Sequence, residues 1–345
     1  MTTAPKLTYD VATALAQGQR DSQEDAVIAD FPLDGEVGFA VLADGMGGHA
    51  AGDIASKIVV TEVFSELKLQ SGETQAFEND MPGILAQAAA AANDCVRLHA
   101  EHHPGSRGMG ATLVAPVLVG NKLYWVSVGD SPLYLYREGE LLQLNEDHSL
   151  AGQIDLLVQK GLMDPHTAEN HPDRHCLTSV LIGDQIAKID CPRRPLTLKA
   201  GDIIVVASDG LQFLENSEIE GLIQETEDQR STDIARSLIS ALDALGDPHQ
   251  DNVSLCVIKA GDDCPQQAPI HITEDPEQTI SALFAHSEEL AGAGPSDPVA
   301  DHPAPGQIAA SAATSSGNKI TIIARKTLDG LSMLYHFKRP SEKSA

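Results

Sequence analysis

The chain has 345 residues, 23 Lys and Arg against 50 Asp and Glu, a formal net charge of −27, and 42% hydrophobic residues. That length suits one large domain or two modest ones, and the apolar fraction is enough for a core, which excludes global disorder. The acid excess excludes nucleic acid and anionic membrane as expected partners, because such a surface repels phosphates. No apolar run approaches the ~18 residues of a membrane span, and the start, MTTAPKLTYD, lacks a signal-peptide core. Five cysteines (95, 176, 191, 256, 264) form no CxxC pair, so a reduced, cytoplasmic chain is expected.

In chain order, alternating or fully apolar runs predict strands at 7–16, 38–43, 110–119, 123–128, 133–137, 203–207 and 252–259. Short turns at 120–122 and 138–140 join consecutive strands. Helical periodicity marks 54–69 and 82–103, then 216–225 and 231–245. Strands come in runs and helices in pairs, so residues 1–260 read as one α+β domain with antiparallel sheet. From 261 to 318 there are nine Asp or Glu, no Lys or Arg, and seven prolines. Such a stretch cannot offset chain entropy by burial and reads as an acidic Pro/Ala-rich linker, with room for a short helix at 279–291. Residues 319–345 carry six basic and two acidic side chains, and two apolar runs around Asp329–Gly330 predict a β-hairpin.

Several chemistries are excluded. There is no GK dipeptide and hence no P-loop, no Cys with Arg six residues later, no G-x-S-x-G elbow and no H-E-x-x-H. What remains is a set of acids at strand ends. Asp44 follows GFAVLA, Asp130 follows LYWVSVG, Asp209 follows IIVVAS, Asp251 precedes NVSLCVI, and Glu24 and Asp25 lie in RDSQEDA. Taken singly, each is what an ordinary surface turn carries. Gathered on one rim they would need cations, and hard cations such as Mg²⁺ and Mn²⁺ take carboxylate, carbonyl and water oxygens. Spacing alone does not bring them together.

The ordered strings RDSQEDA, VLADGMGGHAAGDIAS, GMGATLVAPVLV, LYWVSVGDSPLYLYREGELLQLNEDHSL, LTSVLIG, DIIVVASDGL and DNVSLCVI resemble the metal-dependent protein phosphatase family (protein phosphatase 2C type), in its bacterial serine/threonine branch. The resemblance covers residues 5–260. It implies two stacked antiparallel β-sheets flanked by pairs of helices, an αββα sandwich, with a flap at about 147–190 and, here, a C-terminal extension. It also implies hydrolysis of phosphoserine and phosphothreonine on proteins by a water that two Mg²⁺ or Mn²⁺ ions activate, opposing a bacterial serine/threonine kinase.

Position by position, the resemblance makes Asp44 the carboxylate that bridges two metals, with the carbonyl of Gly45 beside it. Asp209 and Asp251 match ligands of the first metal, and the pair Glu24–Asp25 matches the acids of the second, either of which could be the direct ligand. Asp130, with Asp209, matches the holder of a third, weaker metal. Arg20 matches the arginine that receives the phosphate. Met46 stands where eukaryotic members have a proposed acid; His49, three residues on, is read as packing. His148, His171 and His175 fit no compact zinc set and are read as structural. Relatives often carry Asn at position 175 and Arg at 179, where this chain has His175 and Ser179, which bears on substrate choice. Two other readings are compatible with these motifs: a partner-switching phosphatase for one regulatory phosphoprotein, and a catalytically silent phosphoprotein-binding module. The 319–345 segment reads as a tethered docking element or an unstructured tail.

Overall fold

A computed structural model describes residues 7–32, 36–47, 50–261 and 269–273, and the backbone of 322–327 and 330–335. Its first half contains β1 (Thr8–Ala16), β2 (Asp25–Asp30), β3 (Val37–Met46), α1 (Ala50–Gln70), α2 (Thr74–Asn79), α3 (Met81–His102), β4 (Gly110–Ala111), β5 (Leu113–Val119) and β6 (Lys122–Val128). There follow β7 (Leu133–Arg137), β8 (Glu140–Gln143), α4 (Ala151–Gln159), α5 (Pro165–Glu169), β9 (Leu196–Thr197), β10 (Ile203–Ala207), α6 (Asn216–Thr226), α7 (Ser231–Leu245), β11 (Val253–Gly261) and β12 (Ile270–Thr273).

These strands form two sheets, ordered β12-β1-β11-β10-β7-β8 and β2-β3-β5-β6-β9. Apart from the parallel β1–β12 pair, the pairings are antiparallel. The runs that read as continuously apolar are strands buried on both faces. Along β10, Ile203, Val205 and Ala207 pack towards α6 and α7, whereas Ile204 and Val206 enter the layer between the sheets. Along β3, Phe39, Val41 and Ala43 face α1 and α3, and Ala40 and Leu42 face the other sheet. Period-two alternation thus feeds two cores from one strand. Helix α7 supplies its stripe with Ile234, Ala235, Leu238 and Leu242 and stops at Gly246, whose φ of +59° suits the left-handed cap. The four layers, helices–sheet–sheet–helices, are the expected αββα sandwich.

Some elements differ from the sequence reading. The sequence reading lacks strand β2 and also α4 and α5, which lie in the 147–190 segment; isolated bridges Ala111↔Leu181 and Ser127↔Asp190 tie that segment to the body, and Ser149↔Leu177 closes it on itself. Within 261–318, Ile270–Thr273 is not linker: it adds a strand alongside Ala12–Leu15. Thr13 Oγ1 and His271 Nδ1 lie 2.5 Å apart, and Ile272 packs on the core under α7. An average over a long polar stretch hides a four-residue β run. The helix expected at 279–291 and Cys264 lie outside the described residues. The four described cysteines are free. A second unit, 294–345, contains β13 (Ile322–Thr327) and β14 (Gly330–Tyr335), paired antiparallel with Thr327 opposite Gly330. Among the described residues no helix is long and apolar enough to cross a membrane.

Candidate active site

Antiparallel pairing brings the acids together. Ala207 of β10 pairs with Leu255 of β11, so Asp209, just after β10, neighbours Asp251, just before β11. Ala16 of β1 pairs with Val253, which brings the loop carrying Arg20 to the same end. In the other sheet Asp25 pairs with Asp44, at the start of β2 and near the end of β3, and Asp130 follows β6. Strand ends from both sheets therefore rim one cavity of about 410 Å³. Arg20, Glu24, Asp44, Gly45, Asp130, Asp209 and Asp251 all line it, and so does His175 from the flap.

Asp25 does not line it. The residue is 4% exposed, and its carboxylate accepts a hydrogen bond from Ser208 Oγ at 2.7 Å. Of the ambiguous pair, Glu24 is therefore the cavity acid and Asp25 lies behind it. Glycines create the space around Glu24. A Cβ on Gly52 of α1 would stand 2.0 Å from Glu24 Oε2, and one on Gly45 would meet Gly52 O at 2.1 Å and Glu24 O at 2.5 Å. Gly45 N also donates to Glu24 O at 3.1 Å. Glycine at both positions lets a carboxylate and a backbone carbonyl approach each other closely.

Asn252 ties the arginine loop to β11. Its Oδ1 accepts from Glu24 N at 2.8 Å, and its Nδ2 donates to Gln17 O at 2.8 Å and Ser22 O at 2.9 Å. Thr112 Oγ1 accepts from Asp44 N at 2.9 Å and lies 2.7 Å from Ser131 Oγ. Sequence reasoning missed both residues. The dipeptide Asp251–Asn252 was in view, but a side chain that joins three backbone groups across more than two hundred residues leaves no local pattern.

The electrostatics are those of like charges held out of water. Burial pushes the Asp44 carboxyl well up, and Asp25, Asp209 and Asp130 push it further. Burial, then Asp209 and Asp147, bring Asp130 to about 7. Burial and Asp251 raise Asp209, which is in hydrogen-bond contact with Asp44. Arg20 forms an ion pair with Asp251. Among the described residues no three His, Cys, Asp or Glu side chains stand in closed ligand geometry.

The donor set nonetheless fits a hard divalent cation. It is all oxygen, it is crowded with negative charge at a cost that a cation would offset, and Gly45 and Gly52 leave a cradle that a Cβ would fill. It does not suit zinc through histidines. His148 is 1% exposed, with its Nδ1 accepting from Gly129 N at 3.2 Å, and His171 Nδ1 accepts from Asp173 N. Contrary to a purely structural reading, His175 reaches the cavity. His49 lies outside the described residues.

Comparison with known proteins agrees. Residues 17–253 match the family model for protein phosphatase 2C. The serine/threonine protein phosphatase PstP of Mycobacterium tuberculosis is 35% identical over 197 residues, 56% of this chain but only 34% of PstP's own length. Protein phosphatase PhpP of Streptococcus pneumoniae is 30% identical over 225 residues, 65% of this chain and 86% of PhpP. A crystal structure of the PstP catalytic domain in complex with two manganese ions is similar over 74% of this chain and 99% of that one, with 30% identity and a TM-score of 0.59.

Proposed function

The chain belongs to the protein phosphatase 2C family, and on that premise we propose that it hydrolyses phosphoserine and phosphothreonine esters on proteins with Mg²⁺ or Mn²⁺ as cofactor. One observation carries the reading. Acids from strand ends of both sheets surround a single cavity in which, among the described residues, Arg20 is the one lining side chain with a permanent positive charge. Asp44 would serve both cations of a binuclear site, Asp209 and Asp251 the first, and Glu24 with the Gly45 carbonyl the second. Asp130 with Asp209 would hold a third, weaker one, and Asp25 would support the cluster from behind.

When bound, the cations supply Lewis acidity that lowers the pKa of water towards neutrality, and positive charge beside the ester. The chain's own residues do the rest. Arg20 offers a planar fork of N–H donors to the phosphoryl oxygens, orienting the ester and offsetting the charge that develops on it. Asn252 holds the Arg20 loop against β11, so the fork is positioned before substrate arrives.

Relatives named as serine/threonine protein phosphatases support phosphorylated proteins as substrates. Targets of a serine/threonine kinase in the cytoplasm are the finer reading. Residues 1–260 are read as the catalytic domain, and 319–345 as a tethered docking or regulatory element. The test is turnover of a phosphothreonine peptide with Mn²⁺ by the wild type, Asp44→Asn and Asp209→Asn. Loss of activity in both variants, and on addition of EDTA, is expected; wild-type turnover by either variant would overturn the metal assignment.

A further inference from the structure

Beside the catalytic cavity lies a second cleft, of about 350 Å³, between the loop after β1 and the loop before β11. Gln19, Arg20, Pro248, His249 and Gln250 line it. Arg20 lines both spaces, and its side chain is 57% exposed between them. We propose that this cleft receives the extended main chain on one side of the phosphorylated residue, making it a specificity subsite for peptide; the proposal rests on the phosphatase reading above.

The cleft is pre-formed, because its two walls are tied together. Gly18 has a φ of +60°, and a Cβ there would stand 2.3 Å from Asp251 O and 2.8 Å from Gln250 O, so the loops touch backbone to backbone. Gln19 N donates to Gln250 O at 2.9 Å, and Gln17 Nε2 donates to Arg20 O at 2.8 Å. On the far wall His249 N donates to Asp247 Oδ1 at 2.7 Å. A groove already ordered in this way costs little further entropy when a peptide enters.

Its chemistry suits a main chain. The lining side chains are two amides, an imidazole, a guanidinium and a proline ring, with no carboxylate among them. Gln250 is 5% exposed and is anchored in the wall, its Nε2 donating to Gly210 O at 3.2 Å and Asp251 O at 3.4 Å. The exposed side chains of Gln19 and His249 offer the donors and acceptors that the N–H and C=O groups of a peptide main chain require. A phosphate ester seated against Arg20 in the catalytic cavity would have its neighbouring residue beside Arg20's other face.

The experiment compares kcat/KM of the full chain for p-nitrophenyl phosphate, N-acetyl-phosphothreonine amide, and phosphothreonine peptides extended on the N-terminal side, the C-terminal side or both. Extension on one side is expected to raise kcat/KM about tenfold, the effect of one or two hydrogen bonds, and extension on the other to do little. His249→Trp, which fills the cleft, is expected to lower the ratio of extended-peptide to p-nitrophenyl phosphate kcat/KM by about the same factor. Gains below about twofold on both sides, or an unchanged ratio in a folded His249→Trp protein, would overturn the subsite. Should that variant fail to fold, the peptide series on the wild type decides alone. If the wild type turns over none of these esters, the phosphatase reading fails and the subsite falls with it.

Discussion

Gly52 lies in the first turn of α1, where intrinsic propensity favours alanine over glycine by about 1 kcal/mol. On that ground alone Gly52→Ala should stabilise the protein. The surroundings say otherwise for function. The new Cβ would stand 2.0 Å from Glu24 Oε2 and 2.9 Å from Gly45 O, against an ordinary carbon contact of roughly 3.5–4.0 Å. Glu24 Oε2 ends a rotatable side chain, so it can swing away, giving up the 3.3 Å hydrogen bond between Ser22 Oγ and Glu24 Oε1. The Gly45 carbonyl belongs to backbone anchored on Glu24 O and can shift only slightly. An overpacking cost of about 1 kcal/mol roughly cancels the helical gain, so thermal stability should stay close to wild type. The displaced carboxylate is the one assigned to the second cation, and loss of such support typically costs about 10–100-fold in metal affinity or activity. Mn²⁺ titration of phosphothreonine-peptide turnover, with melts run in parallel, makes the check. A Gly52→Ala enzyme with a wild-type Mn²⁺ requirement would refute the role of the cradle. A collapse in Tm would show that the clash is structural instead.

Three further outcomes follow from the same coordinates. Saturating Mn²⁺ should raise Tm over that in EDTA, since binding at 100 times Kd adds about 2.7 kcal/mol; Asp44→Asn should lose most of that rise, and scanning calorimetry showing equal rises would count against it. Asn252→Asp keeps the acceptor for Glu24 N but sets an oxygen against Gln17 O and Ser22 O, so KM for a phosphopeptide should rise about tenfold; an unaltered KM would exclude a positioning role. Burial raises the Asp10 carboxyl, but hydrogen bonds from Arg230 and Ser231 outweigh it and hold the group below its ordinary range. Its folded pKa is thus below the unfolded value of about 3.9, so its stabilisation is present above about pH 4 and is lost as pH falls through the folded pKa. Asp10→Asn should therefore cost about 2–3 kcal/mol at pH 7 and less at pH 3, and denaturant melts showing the same loss at both would contradict this.

Much of this site was legible because burial and position are linked. A short β-branched run such as IIVVA reads as a strand covered on both faces, which puts the acid just beyond it at the edge of the core. What local pattern does not contain is which edge. Asp209 and Asp251 meet because β10 and β11 run antiparallel, and Arg20 joins them because β1 takes the other side of β11. The second of these pairings spans more than two hundred residues, and a family resemblance was needed to supply both. Strand β12 escaped for a different reason. Its four residues gain their order from the open edge of β1 and the core under α7, not from their own composition.

The choice between Glu24 and Asp25 shows where such reading stops and geometry begins. Neighbouring residues of an extended chain point to opposite sides, so the pair divides between the two faces of the sheet, one beside Asp44 and one towards α1. Which one depends on register. Asp25 is the first residue of β2 and pairs with Asp44, and Ser208 Oγ meets its carboxylate on the inner side. Glu24, one step earlier, is left facing outwards into the space that Gly45 and Gly52 keep open. Shifting that pairing by one residue would exchange the two acids, placing the shorter Asp side chain at the cavity and burying the longer Glu against Ser208. Asn252 works against such a slip, since its Oδ1 accepts from the backbone N–H of Glu24 itself. The asparagine therefore fixes two things through one side chain: the position of the arginine assigned to the phosphate and that of the acid assigned to the second cation.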